Sequence, residues 1–471
     1  MLKQTFGVIV SHRSFFPSYH IQDARKDVAA LLTKLGHDYV MVSENDTSLG
    51  ATVTFEEAKV TAALLAKHKD KISGIIVILP NFGEELGVAE AIQRSGLDVP
   101  ILIQACEDDF DKLSMAHRRD AFCGKISLCN SLYQRGIPFT QTTMHTCGIN
   151  STEFSADVQR FAAICNVVKG LKNSRIAMLG ARPIAFNTVR FSEKILQKHG
   201  ISVQTMDLSE VIAAAEAITD DAAKAKEAEI RAYGSICTSI SQEKIAKQAR
   251  LCLAMEQMVD ALDCQASTVQ CWDSLEKNYG CAACLGMSMM GQNGKPSACE
   301  SDVTGAVSML AAKLATGSAP ALMDWNNNIT GEADCCISQH CSNFPKSFFQ
   351  SDNLEIGTLD VLGSVLGEDS TFGACKGVVA PGDMTYIKVS TDDTQGIMKM
   401  YVGEGSFEAK AVDTKGGVAY CRVPGLQSLM YYICENGFEH HVCFVRGHVA
   451  DILVEAMGKY MGVKTYKHIG D

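Results

Sequence analysis

Four side chains of metal-binding type stand near segment ends in this sequence. Glu300 lies in GKPSACESD, just ahead of the amphipathic run VTGAVSMLAAKLATG, and Asp324 closes the apolar run APALMD before WNNN. His340 lies in CCISQHCSN, and His448 in FVRGHVADILVEAM, between a strand-like and a helix-like run. Two carboxylates and two imidazoles suit a hard-to-borderline divalent cation such as Mn²⁺ that keeps positions open for substrate oxygens. Such a centre can polarise a carbonyl and the hydroxyl beside it. Two carboxylates on opposite sides can then remove a proton from one carbon and return it to the next, through an enediolate.

Each of these residues also has an ordinary structural use. A Glu ahead of a helix complements the helix dipole, an Asp before three asparagines suits a turn, and single histidines serve as hydrogen-bonded structural groups. The four ligands match no short metal motif. The 19 cysteines are scattered in mostly apolar company, as at Cys252, Cys264 and Cys271. They read as reduced cytosolic thiols rather than a disulfide framework. Cys281 and Cys284 form one CxxC with no second pair at zinc-ribbon spacing, which favours small buried hydrophobes over a zinc or redox site.

Net charge is −11 without a block of five like charges, which argues against nucleic acid or an anionic membrane as partner. No run of eighteen apolar residues offers a membrane span, and the start on FGVIV has no signal-peptide pattern, so a cytoplasmic location is expected.

With 471 residues, two or three domains are expected. Over residues 1–171, FGVIV, YVMVS, ISGIIVILP and VPILIQA alternate with amphipathic helical stretches, the pattern of a parallel sheet covered on both faces. In such folds ligand residues gather at strand C-terminal ends, where His12, Arg13, Asn81 and Glu107 to Asp109 stand. A second α/β domain is expected over 172–351, with RIAMLGAR as strand and turn, AFNTVRFSEKILQKHG as a helix and 209–262 as helical. Its first turn lacks a full GxGxxG, so a dinucleotide fingerprint is not supported. From 352 to 471 short β-rich runs such as MTYIKVST, IMKMYVGEG and GGVAYCRVP suggest a small antiparallel sheet or barrel ahead of a terminal helix that carries His448.

ACESD around Glu300, LMDWNN around Asp324 and GHVADILVEAMGKYMGV around His448 resemble the L-fucose isomerase and L-arabinose isomerase superfamily. The 24-residue interval between Glu300 and Asp324 and the segment LGARPIAFNTVRFSEKILQKHGI are similar to that family as well. The resemblance implies two Rossmann-like domains followed by a smaller β-rich one, Mn²⁺ as cofactor, and oligomers, often hexamers, with active sites near subunit contacts. It implies an aldose–ketose isomerase with Glu300 and Asp324 as both metal ligands and acid/base pair, and His448 as a third ligand. His340 falls where arabinose isomerases carry a ligand, 16 residues past Asp324. The substrate implied is a deoxy-hexose, a pentose or a sulfo-sugar such as sulfoquinovose. For an anionic sugar, Arg13, His145, Arg182 and Arg446 are candidate cationic contacts, and His12 and Asn81 further substrate-binding candidates. A non-catalytic sugar-binding protein is the alternative, and convergence of the four ligands would decide against it.

Overall fold

The runs TFGVIV, GIIVIL and ILIQA carry no polar alternation, and all three become strands buried on both faces. The computed structural model describes residues 3–350, 354–410, 412 and 416–470. In it β1 (Thr5–Val10), β2 (Asp38–Val40), β3 (Gly74–Leu79), β4 (Ile101–Ala105) and β5 (Thr140–Gln141) form a parallel sheet in the order β2-β1-β3-β4-β5. Alternate residues feed two cores: Phe6, Val8 and Ile76 on one face, Ile9, Ile75 and Val77 on the other. Helices complete both layers. The one over Phe55–Lys67 starts in a capping box between Thr54 and Glu57. This first unit comprises Met1–Lys169 with Glu455–Met461.

The second unit comprises Gly170–Val454 with Gly462–Asp471. It contains β6 (Arg175–Leu179), β7 (Ser202–Met206), β8 (Ser235–Ile236), β9 (Ala266–Val269) and β10 (Ser297–Ala298), of which four form a parallel sheet ordered β10-β9-β6-β7. Then come β11 (Ala321–Ile329), β12 (Glu332–His340), β13 (Glu355–Thr358), β14 (Phe372–Val378), β15 (Gly382–Asp392), β16 (Ile397–Glu408), β17 (Gly417–Arg422), β18 (His441–Arg446) and β19 (Lys464–Lys467). With β8 they make a mixed ten-stranded sheet, β19-β16-β15-β18-β11-β12-β17-β14-β13-β8. Because β16 also pairs with β17, six antiparallel strands close into a ring, β16-β15-β18-β11-β12-β17. The fold is therefore α/β, with two parallel-sheet regions followed by a larger mixed sheet.

Two details bear on the site. The boundary expected at 351/352 lies outside the described residues; apart from β8, the mixed sheet already begins at Ala321, so Asp324 and His340 sit on its strands. The helix expected across AFNTVRFSEKILQKHG is restricted to Glu193–Lys198. Upstream, Phe186 leaves helical geometry and meets Trp272 edge-on, ring centroids 5.3 Å apart.

Candidate active site

Glu300 stands where β10 hands over to the helix Val303–Thr316, at the C-terminal edge of a parallel sheet. The turn is tight: Glu300 and Ser301 both adopt positive φ, 60° and 59°. Non-glycine residues in this region cost free energy and persist where the surroundings enforce them. Asp302 ends the turn as the helix N-cap, accepting from the Gly305 backbone N–H at 2.7 Å. The mixed sheet supplies the rest. On the adjacent strands β12, β11 and β18, His340 ends its strand, Asp324 lies opposite His441, and His441 begins its strand.

These residues converge. His441 Nε2 is 3.2 Å from Glu300 Oε2 and 3.6 Å from Asp324 Oδ1, while His340 Nε2 is 3.8 Å from Asp324 Oδ1 and 4.0 Å from Glu300 Oε1. His440 Nε2 approaches Asp324 Oδ1 at 3.7 Å. Donor atoms of Asp324, His340 and His441, and of Glu300, His440 and His441, lie within 4.8 Å of one another. Glu300 Oε2 and Asp324 Oδ1 are buried without a hydrogen-bond donor. Orphaned carboxylate oxygens facing imidazole nitrogens are a donor set that fits a divalent cation with mixed O and N ligation.

Behind His441 lies a buried polar network. Its Nδ1 is 2.8 Å from Asp302 Oδ2, which also accepts from Lys388 Nζ at 2.8 Å. Asp302 Oδ1 accepts from Thr304 Oγ1 at 2.9 Å. Lys388 and Asp302 have 0% side-chain exposure, with Glu439 3.9 Å from Lys388. Burial would raise Asp302, but Lys388 and His441 hold its carboxyl well below the usual range. Burial would lower His441, but the hydrogen bond to Asp302 and the nearby carboxylates of Glu300 and Asp324 raise it to about 10. Burial pushes His340 down to about 4 and lowers His440, and it raises Asp324. A carboxylate that fixes the far nitrogen of a ligating imidazole is the arrangement that orients histidines at metal centres.

A cleft of about 260 Å³ opens on the cluster, lined by Glu300, Asp324, His340 and His440 together with Phe186, Trp272, Cys341, Asp360 and Lys376. A larger cleft of about 730 Å³, where Arg182 lies with Gly180, Asp207 and Gln270, contains none of Glu300, Asp324, His340, His440 and His441.

The structure thus brings Glu300, Asp324 and His340 together and leaves His448 out. From His441 the chain runs the length of β18, about 17 Å at about 3.4 Å per residue, before it reaches His448. The His448 side chain is half exposed and 4.0 Å from Asp383. His448 as a member of this centre is therefore corrected to His441, seven residues earlier. The signal was the pair of histidines opening HHVCFVR, opposite an acidic residue on a paired strand. Strand pairing is not visible in a single sequence. The same argument removes Arg446, which caps the far end of β18. Its Nη2 donates to the Phe348 carbonyl at 3.0 Å and its guanidinium lies over Phe348 and Phe407.

In the first unit, Asn81 joins His12, at 2.8 Å from its Nδ1, and accepts from the Arg13 backbone N–H at 3.2 Å. The Arg13 side chain is engaged by the Gly83 carbonyl and by Glu84 and Glu85. His145 packs edge-on against Phe122. Cys281 and Cys284 are buried in an apolar core cluster, as small hydrophobes would be.

Residues 7–172 match the family model "Fucose/sulfoquinovose isomerase, N-terminal domain", and residues 338–468 match "L-fucose isomerase, C-terminal domain". The chain belongs to the fucose isomerase family. As a member it is a sugar isomerase. Over 313 residues, 65% of this chain and 67% of the relatives, the isomerase is 23% identical to a sulfoquinovose isomerase of Priestia aryabhattai and to one of Priestia megaterium (strain ATCC 12872 / QMB1551). A sulfoquinovose isomerase of Alkalicoccus urumqiensis is 26% identical over 180 residues, 38% of this chain and 40% of the other. Glu300 and Asp324 fall between the two matched segments, so their grouping with His340 and His441 rests on the geometry itself.

Proposed function

We propose that this isomerase interconverts an open-chain aldose and its ketose by moving a proton between C1 and C2 through an enediolate, with a divalent cation, Mn²⁺, at the centre formed by Glu300, Asp324, His340 and His441. The observation that carries the proposal is the convergence of two carboxylates and two imidazoles on one point, with Glu300 Oε2 and Asp324 Oδ1 left without hydrogen-bond donors. A bound divalent cation supplies Lewis-acid polarisation of the oxygens on C1 and C2.

The chain's residues do the remaining work. Asp324, its proton affinity raised by burial, is suited to take up and return a proton. Glu300 is the second member of the acid/base pair; it is almost fully buried, held by its turn. Asp302 holds His441 with Nδ1–H donating, so that Nε2 faces the centre. His340, with its pKa near 4, is neutral at pH 7 and offers a lone pair. Phe186 and Trp272 form a wall that keeps water from one side of the cleft.

The substrate class is a deoxy-hexose, a pentose or a sulfonated hexose, and the named relatives favour the last. Substrate discrimination is assigned to the strand-end loops carrying His12, Arg13, Asn81, His145 and Arg182, in an assembly of several copies up to a hexamer. A cytoplasmic location fits 19 free thiols and, among the described residues, the lack of a helix long and apolar enough to cross a membrane. The test is ketose formation from sulfoquinovose, L-fucose and L-arabinose by purified protein of measured metal content, with sedimentation for the assembly. A fully metallated protein that converts no aldose would overturn the proposal.

A further inference from the structure

Three thiols crowd the backs of two of the metal-type donors. Cys299 immediately precedes Glu300, and Cys341 immediately follows His340. Cys271 Sγ lies 2.8 Å from Cys299 Sγ, and the nearby Cys271 and Cys341 thiols push the Cys299 thiol well above its ordinary range. Cys271 and Cys299 are fully enclosed, whereas Cys341 is partly exposed and lines the cleft. The Cys341 sulfur sits within 4.8 Å of donor atoms of both Glu300 and His340. A buried thiol by itself is an inert small hydrophobe. This trio differs because one member meets the cleft beside Glu300 and His340, and the other two are in sulfur–sulfur contact directly behind Glu300.

We propose that Cys341, Cys299 and Cys271 form an oxidation site for hydrogen peroxide, at which a disulfide reversibly disables the neighbouring active centre. Peroxide entering the cleft is attacked by the Cys341 sulfur. The O–O bond breaks, the sulfur is oxidised to a sulfenic acid, and one water leaves. The Cys299 sulfur then attacks the Cys341 sulfur; the S–O bond breaks, and the departing hydroxide takes the Cys299 proton to form a second water. Two thiols and one peroxide thus give one disulfide and two waters. Cys271, in contact with Cys299, can displace Cys341 by thiol–disulfide exchange, which moves the bond to Cys271–Cys299 and returns Cys341 to the thiol.

A disulfide demands a Cβ–Cβ separation of about 3.5–4.5 Å and an S–S bond of about 2.05 Å. Meeting those limits at Cys299 pulls on the turn that holds Glu300 at positive φ, and at Cys341 it pulls on the end of β12 that presents His340. A displacement near 1 Å at reacting groups costs about 10²-fold in rate. That consequence rests on the function proposed above; the bond formation does not.

The two are separated by reading them in different assays. Wild-type protein is treated with graded hydrogen peroxide, digested without reduction and mapped by mass spectrometry, while Mn²⁺ retention and isomerase activity are followed in parallel. The expected map shows Cys299–Cys341 or Cys271–Cys299 linked peptides at doses that leave Cys336 and Cys421, a second thiol contact within the core, unlinked. Dithiothreitol should return the thiols and, with them, Mn²⁺ retention. Cys341→Ser, compared with its own untreated state, should resist both linkage and loss. Linkage without any change in Mn²⁺ retention or activity would overturn the disabling role. Absence of a bond among the three thiols, or equal linkage at Cys336–Cys421, would overturn the oxidation site; both are read on wild-type protein and hold even if the variant fails to fold.

Discussion

Asp302→Asn separates what holds the fold from what prepares the proposed metal centre. The carboxylate accepts four hydrogen bonds: Thr304 Oγ1 and Gly305 N on Oδ1, His441 Nδ1 and Lys388 Nζ on Oδ2. Asparagine is a good N-cap and keeps the Oδ1 side intact. It places an NH₂ where Oδ2 stood, facing two donors. His441 must then accept at Nδ1 and carry its proton on Nε2, which removes the lone pair that faces Glu300 and Asp324. Losing such an outer partner costs about 10–100-fold in metal affinity, equivalent to about 1.4–2.8 kcal/mol. Lys388, fully buried, is also left without its closest anion, and breaking a buried pair from one side costs about 3–5 kcal/mol of stability. The two effects part in the double variant: adding Lys388→Met removes the stranded charge and should recover much of the stability while metal affinity stays low. Chelator competition with Mn²⁺ and denaturant unfolding of the metal-free protein measure the two quantities. If Asp302→Asn binds Mn²⁺ within about twofold of wild type, or if the double variant regains affinity along with stability, the reasoning about His441 orientation is refuted.

Glu300→Gln and Asp324→Asn should each lower turnover by at least about 10²-fold, judged at equal metal content; wild-type-like rates in either metallated variant would remove that residue from the proton transfer. His441→Ala should abolish tight Mn²⁺ binding while His448→Ala leaves it within about twofold, and equilibrium dialysis would expose the reverse order. With His441 raised to about 10 in the metal-free protein, its proton must leave when Nε2 becomes a ligand. About one proton should therefore be released per Mn²⁺ at pH 7, and affinity should weaken as pH falls below the His441 pKa. Calorimetry in buffers of differing ionisation enthalpy counts the protons, and a count of zero would contradict the assignment of His441.

Much of the architecture is legible because it depends on local pattern. Apolar runs without alternation at FGVIV and ISGIIVILP can bury both faces only in a covered parallel sheet, and the structure places them there. Glu300 and Asp324 are legible for a different reason: Asp324 closes an apolar run, Glu300 stands just ahead of an amphipathic one, and both lie in motifs that resemble the family. His340, the last residue of β12, is legible through the resemblance, which places a ligand 16 residues past Asp324. His441 was overlooked because its role depends on pairing between β18 and β11, residues more than a hundred positions apart, and on Asp302, which by sequence is simply a helix cap. Lys388 lay within MTYIKVST, where one lysine in a β-rich run reads as a solvent-facing residue; only the closed ring of strands encloses it.

That contrast bears on how the centre is built. A parallel-sheet edge supplies Glu300, while adjacent antiparallel strands supply Asp324, His340 and His441. Two sheets of different type must meet at fixed separation, and their junction is where Asp302 and Lys388 sit. Asp302 caps the helix leading out of the Glu300 turn and grips a histidine on β18; Lys388 reaches it from β15. One buried carboxylate thus ties the helix, the turn and two strands to a single point. A buried ion pair often adds little net stability. Its value here lies in geometry: it sets the direction of the His441 imidazole and anchors the turn that presents Glu300, so a small error in either sheet is not passed on to the groups proposed to share a metal ion and a proton.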